Sequence, residues 1–231
     1  MISRSHRIVA LSAAFAALAL SSPARAETSH DEQVWLQVVA QGPIAGKVVY
    51  LAELQPRFGD RAKGLSQMVI RGALGVKVTN RLTIYQGYAN ARTPAVGRAD
   101  TVENRSFQQI SWSLGNPGGV ALSTRTRLEQ RWLSTGDDMG WRLRQSVRGA
   151  VPIAADSKVK LLGSVEVFVA LDDTDWGARS GLDRVRSFAG VELPFSGKST
   201  IELGYLNQYV NGANGRDQMD HVAAINLMLR P

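Results

Sequence analysis

From Val120 to Trp132 the chain reads V-A-L-S-T-R-T-R-L-E-Q-R-W. Arg125, Arg127, Glu129 and Arg131 fall on one parity; Leu122, Thr124, Thr126, Leu128, Gln130 and Trp132 fall on the other. Successive side chains of a strand point to opposite faces, so this segment carries one charged face and one mostly uncharged face. The alternation recurs. Glu53, Gln55 and Arg57 oppose Val48, Tyr50, Ala52 and Leu54, and Arg142, Arg144, Ser146 and Arg148 oppose Trp141, Leu143, Val147 and Val151. Glu166 opposes Val165, Val167, Val169 and Leu171; Arg184, Arg186 and Glu192 oppose Val185, Ala189, Val191 and Leu193. Glu202 and Gln208 oppose Ile201, Leu203, Tyr205 and Tyr209.

Turn signals separate eleven strand-like segments, at 33–41, 47–57, 67–79, 81–90, 103–114, 120–132, 141–152, 159–171, 184–193, 200–210 and 221–229. None shows helical periodicity. Most have the length that a tilted strand needs to cross a bilayer. The expected fold is therefore all-β: an antiparallel up-and-down transmembrane β-barrel with apolar side chains outward and charge in the lumen. Facing an arginine or lysine toward lipid at the midplane costs about 2–4 kcal/mol, which fixes the register of the 120–132 strand if a membrane is present.

The first 26 residues change the picture from any barrel to an exported one. Arg4, His6 and Arg7 precede an apolar run from Ile8 to Leu20, and Ala24-Arg25-Ala26 gives a small-x-small cleavage pattern before Glu27. Residues 1–26 are expected to be a removed signal peptide, with cleavage between Ala26 and Glu27, and the apolar run is too short for a spanning helix. Residues 27–46 form an N-terminal lead with one unplaced strand, and 47–231 the barrel domain. The mature chain carries 24 basic and 20 acidic residues, a net charge of +4 rather than the +7 of the full chain. Its basic residues alternate along strands instead of forming one patch, which argues against a nucleic-acid partner. With no cysteine, the chain has no disulfide framework, thiol chemistry or cysteine-ligated metal.

Connection lengths give an orientation. Tight links at 80, 116–119, 154–156 and 195–198 alternate with longer ones at 58–66, 91–102, 133–140, 172–183 and 211–220, as short periplasmic turns alternate with long outer loops. Counting back from the C-terminal strand gives about ten strands and both chain ends in the periplasm. The segment from Gln33 to Gln41 then has an awkward direction. It lies at the rim or in the lumen, or pairs with a further strand to make twelve. Tyr88, Trp132, Trp141 and Tyr209 share the outward parity beside long loops, where an outer aromatic girdle belongs. Gln86, Gln108, Gln130, Gln145 and Asn207 also face outward and count against full embedding.

The candidate lumen lining is Arg125, Arg127, Glu129, Arg131, Arg142, Arg144, Glu166, Arg184, Arg186 and Glu192. Arginine presents a planar fork suited to carboxylate or phosphate, so these side chains could form a path for a small anionic solute. Alternatively they pair across strands and fill a narrow lumen, obstructed further by the inward Phe107, Phe168 and Phe188. The loop Asp172-Asp-Thr-Asp-Trp-Gly177 supplies oxygen ligands but lacks the closing glutamate of a calcium loop, so no metal is expected there. Mature histidines are His30 and His221; Asp220-His221 could form a dyad, yet no serine motif marks a nucleophile. No catalytic residue and no cofactor is assigned.

Several runs, taken in order, resemble a known family. They are Tyr50-Leu-Ala-Glu-Leu-Gln-Pro-Arg57, Tyr85-Gln-Gly-Tyr88, Glu103-Asn-Arg-Ser-Phe-Gln-Gln109, Arg125-Thr-Arg-Leu-Glu-Gln-Arg131, Arg142-Leu-Arg144 and Glu202-Leu-Gly-Tyr-Leu-Asn-Gln208. The set resembles domain-of-unknown-function family 2490, an uncharacterised bacterial family of outer-membrane barrels. The resemblance spans nearly the whole mature chain and implies no activity or catalytic residue. One departure stands out: the chain ends Leu227-Met-Leu-Arg-Pro231, without the terminal aromatic usual for the barrel-assembly machinery. The expectation is a non-enzymatic protein of the Gram-negative outer membrane. It is either a porin-like narrow channel or a structural and surface protein, in contact with outer-membrane lipid and the assembly machinery. The alternatives are a soluble periplasmic barrel for a small lipid-like ligand and an outer-membrane barrel hydrolase.

Overall fold

The computed structural model describes residues 28–61, 63–212 and 215–231. The expected cleavage site at Ala26 and Glu27 lies outside them. The described residues form a closed barrel of eleven strands: β1 (Ser29–Ala45), β2 (Val48–Gly59), β3 (Gly64–Lys77), β4 (Leu82–Thr93), β5 (Thr101–Gly115), β6 (Ala121–Leu133), β7 (Met139–Pro152), β8 (Lys160–Ala170), β9 (Gly181–Pro194), β10 (Thr200–Val210) and β11 (Gln218–Leu229). One turn of 3-10 helix, Pro117–Gly119, sits between β5 and β6. Each strand pairs antiparallel with its sequence neighbour, in registers such as Glu53↔Arg71, Gln109↔Arg127 and Glu166↔Arg186.

Eleven strands, rather than ten or twelve, close the wall. In an up-and-down barrel direction reverses at every strand, so an odd count brings the first and last strands together in the same direction. β1 and β11 accordingly pair in parallel, from Ser29↔Gln218 to Ala40↔Leu229. The segment from Gln33 to Gln41 is therefore neither a rim nor a plug. It is the middle of a 17-residue wall strand, and the barrel begins well before residue 47. His30 lies in that strand. The two ends of the wall also sit at opposite mouths, correcting the expectation of a shared side.

One mouth, here the N-terminal mouth, gathers Ser29, the connections 94–100, 134–138 and 171–180, and the described residues 60, 61, 63, 211, 212 and 215–217. The other gathers 46–47, 78–81, 116–120, 153–159 and 195–199, with Arg230 and Pro231. The expected long link at 58–66 is mostly strand, because β2 and β3 run on to Gly59 and Gly64. The tightest reversal, between β1 and β2, has Gly46 at φ 53°, a left-handed conformation that costs glycine little.

The wall is inverted relative to a water-soluble protein. Among the described residues nineteen polar or charged side chains are buried against sixteen hydrophobic ones, while twenty-eight large apolar side chains are exposed. Nine of the buried apolar groups form two small patches inside the barrel. One joins Val49, Ala73, Tyr85, Ala89 and Phe107; the other joins Ala150, Leu162, Phe188 and Ala224. Gly87 faces inward beneath the first patch, where a Cβ would collide with the Phe107 ring.

Candidate functional site: a cationic lumen

Period-two alternation delivers one charged side chain to the interior per two residues, and neighbouring strands stack them into rungs. Arg127, Glu129, Arg131, Arg142, Arg144, Glu166 and Glu192 are buried there. Arg125, Arg184 and Arg186 are half-buried and line the same cavity. All ten expected lumen residues are thus gathered in one interior. Phe107, Phe168 and Phe188 are buried inside as expected.

The carboxylates act as junctions between strands. Glu129 accepts from Arg142 Nη2 at 2.6 Å and from Arg144 Nη1 at 2.8 Å, linking β6 to β7. Glu166 of β8 accepts from Arg144 Nη2 and Arg125 Nη2, each at 2.8 Å. Asp183 of β9 reaches back to Arg142 Nη1 at 3.0 Å. Lower in the lumen, Arg148 spans to Glu202 at 2.8 Å and to Glu192 at 3.3 Å, and Lys160 holds Glu192 at 2.7 Å. Sequence reasoning misses a second buried set: Glu103 accepts from Arg105 and from Arg131 at 2.6 Å each, and Arg71 pairs with Glu53. Arg71 had a signal, as the sole charge within Met68-Val-Ile-Arg-Gly-Ala-Leu74.

The network does not fill the barrel. A cavity of about 610 Å³ remains, and its wall includes thirteen arginines against four glutamates. Guanidiniums also stack on aromatic rings. Arg127 lies 4.4 Å from the Phe107 centroid and Arg144 4.4 Å from that of Phe168. Three buried guanidinium nitrogens, Arg71 Nε, Arg105 Nε and Arg127 Nη1, have no hydrogen-bond acceptor among the described residues. Such an interior carries surplus positive charge and unused donors, which is the chemistry of anion recognition.

At the N-terminal mouth the acidic loop is a folding device. Asp172 accepts from the Trp141 N–H, Asp175 from the N–H groups of Asp137 and Asp138, and Asp173 from that of Ser180. The Ser180 hydrogen bond holds the Asp173 carboxyl below its ordinary range, and bonds from Ala95 and Arg92 do the same for Asp100. Trp176 thereby comes down on Arg131, 4.9 Å from the guanidinium, and donates to the Asp138 carbonyl.

The outer wall carries the expected aromatics: Tyr88 and Trp132 are exposed, and Trp141 and Tyr209 half-buried. Tyr88 lies six positions into β4 instead of at its end. The outward glutamines form a ladder, Gln86 to Gln108 at 2.8 Å and Gln108 to Gln130 at 2.9 Å, while Gln145 bonds Thr124 and Thr126 at 2.6 Å. Asp220 and His221 cannot form a dyad. Asp220 points inward and accepts from Gln208, whereas His221 points outward, 2.6 Å from the Tyr205 hydroxyl and 3.0 Å from His30.

A family model described as "Protein of unknown function (DUF2490)" matches residues 32–220. An uncharacterized protein of Methylorubrum extorquens is 45% identical over 221 residues, covering 95% of this chain and 96% of that protein. No solved structure matches the chain.

Proposed function

The chain belongs to the DUF2490 family of proteins of unknown function, and from that footing we propose that it is a non-enzymatic outer-membrane barrel whose cationic lumen admits small anions. The supporting observation is the inverted wall: buried polar side chains outnumber buried hydrophobic ones, while large apolar groups cover the outside. In water that outer surface is an aggregation hazard; in a bilayer it is the expected solvent face. The signal-like N-terminus agrees with export. Tyr88, Trp132, Trp141 and Tyr209 would then serve as the interfacial girdle. Outer-membrane lipid and the barrel-assembly machinery would be its partners.

Fractionation tests the membrane part. The protein should remain with outer membranes through a carbonate wash and shift its gel migration on boiling. Release by carbonate would contradict it. Planar-bilayer recording tests the lumen: an anion-preferring conductance supports the channel, and a cation preference removes it. The Gln86–Gln108–Gln130 ladder favours a second reading, a soluble periplasmic barrel for a small ligand, because amides at bilayer depth are costly. Protein found wholly in the periplasmic fraction would establish that reading.

A further inference from the structure

Most lumen arginines spend their donors on carboxylates, but Arg57 and Arg186 do not. Among the described residues neither has a carboxylate within ion-pair distance. Arg57 donates to Gln55 and Gln67, and Arg186 donates through Nε alone, to Gln208 at 2.7 Å. The Nη1 and Nη2 pair of Arg186 has no acceptor among the described residues. Both guanidiniums lie against the Trp35 indole, at 4.0 Å for Arg57 and 4.9 Å for Arg186, so they are separated by at most the sum of those distances. Each is half-buried and lines the cavity, in contrast to the fully buried Arg127 and Arg142. Arg105, Arg184 and Arg71 add like charge within electrostatic reach of Arg57, while Glu53 opposes them there and Glu166 does so at Arg186, each beyond ion-pair contact.

Two cations held this close and open to the cavity, with no carboxylate in ion-pair contact, repel each other, and an anion seated between them would relieve that repulsion. Three neutral amides and an indole keep them in place: Gln55, Gln67 and Gln208 accept from them, and Trp35 is itself anchored by its Nε1–H donating to Gln33 at 2.7 Å. An amide at each of these positions orients a guanidinium while leaving its charge uncancelled. A carboxylate there would have neutralised the site.

We infer that Arg57, Arg186 and Trp35 form an oxyanion clamp in the lumen, selective for a small multivalent oxyanion of the phosphate class. The free fork of Arg186 offers two parallel N–H groups to two oxygens of one anion, and Arg57 supplies further donors from β2, on the other side of Trp35. The inference rests on the cationic-lumen reading and adds the location and class of the ligand.

The test uses the full mature protein folded in detergent, with inorganic phosphate as the probe and acetate as the monovalent comparison. Saturable phosphate binding is expected by equilibrium dialysis, weaker for acetate. R186Q and R57Q should each weaken it about tenfold or more, as loss of charge-assisted hydrogen bonds does. R186K keeps the charge but loses the fork and should fall between. R81Q and R230Q, at the other end of the same cavity, should bind within about twofold of wild type. Boiling-dependent gel migration confirms that each variant is folded. Wild-type-like binding by folded R57Q and R186Q would overturn the clamp, even where bilayer recordings still show anion preference. Failure of the cationic-lumen reading looks different: no anion preference in the wild type, whatever phosphate binds.

Discussion

Arg142 and Glu129 meet at 2.6 Å inside the barrel, with side-chain exposures of 3% and 1%. The same carboxylate holds Arg144 at 2.8 Å and lies 3.7 Å from Arg127. One glutamate thus balances three buried guanidiniums from two strands. Removing one partner from such a group leaves uncompensated buried charge, which costs far more than the intact pair contributes. Glu129→Gln should lower stability by about 3–5 kcal/mol, seen as an earlier urea midpoint for vesicle-inserted protein. A change below about 1 kcal/mol would mean that the lumen is hydrated enough to screen these charges.

Gly87 is required by Phe107. A Cβ there would overlap the Phe107 ring and lie 2.7 Å from both the Ala73 Cβ and the Gly72 carbonyl oxygen. Gly87→Ala should destabilise the barrel by about 1–3 kcal/mol through overpacking. Phe107→Leu in the same chain should recover part of that loss. Thermal unfolding followed by gel migration measures both.

The parallel β1–β11 seam makes the chain ends asymmetric. An epitope placed before Thr28 and one placed after Pro231 should lie on opposite sides of the membrane. In intact cells an impermeant protease should remove one and spare the other until the envelope is opened. Equal sensitivity of the two would contradict an odd-stranded wall in the membrane.

The amide ladder separates lipid from water. Gln108 faces outward between Gln86 and Gln130. Against lipid, replacing Gln86, Gln108 and Gln130 together by leucine should preserve stability or raise it by about 1 kcal/mol, since apolar groups replace desolvated amides and leave none of the ladder unpaired. In a water-soluble barrel the same change would enlarge an exposed apolar patch and promote aggregation. Sedimentation of the variant after detergent removal, with and without lipid, distinguishes the two.

Why the charged strands were legible is physical. In β6 the alternation of Arg125, Arg127, Glu129 and Arg131 against uncharged neighbours leaves a single register that keeps charge off the outer face, and that register is found. β1 was not legible. Over the expected segment 33–41 its inward side chains, Gln33, Trp35, Gln37 and Val39, carry no charge, so nothing there distinguishes a wall strand from a rim. Its pairing with β11 is a closure property of the whole count, absent from either strand alone. The clamp was hidden for a related reason: Arg57 and Arg186 lie on β2 and β9, and only closure through β1, β10 and β11 brings both to Trp35. The role of the acidic loop was also not legible, since its aspartates are engaged by backbone N–H groups that sequence spacing does not reveal.

The central claim is that polar side chains face an aqueous lumen and apolar ones face lipid. The chain contains no cysteine, so single substitutions report without background. Ser146 and Ser164 line the cavity, and Val147 and Val165 are their outward neighbours. Spin labels on cysteines at these four positions, in protein reconstituted into bilayers, should divide cleanly. Labels at 146 and 164 should be relaxed by a water-soluble paramagnet and those at 147 and 165 by dissolved oxygen. If the outward labels respond to the water-soluble reagent as strongly as the inward ones, the membrane-barrel account is wrong.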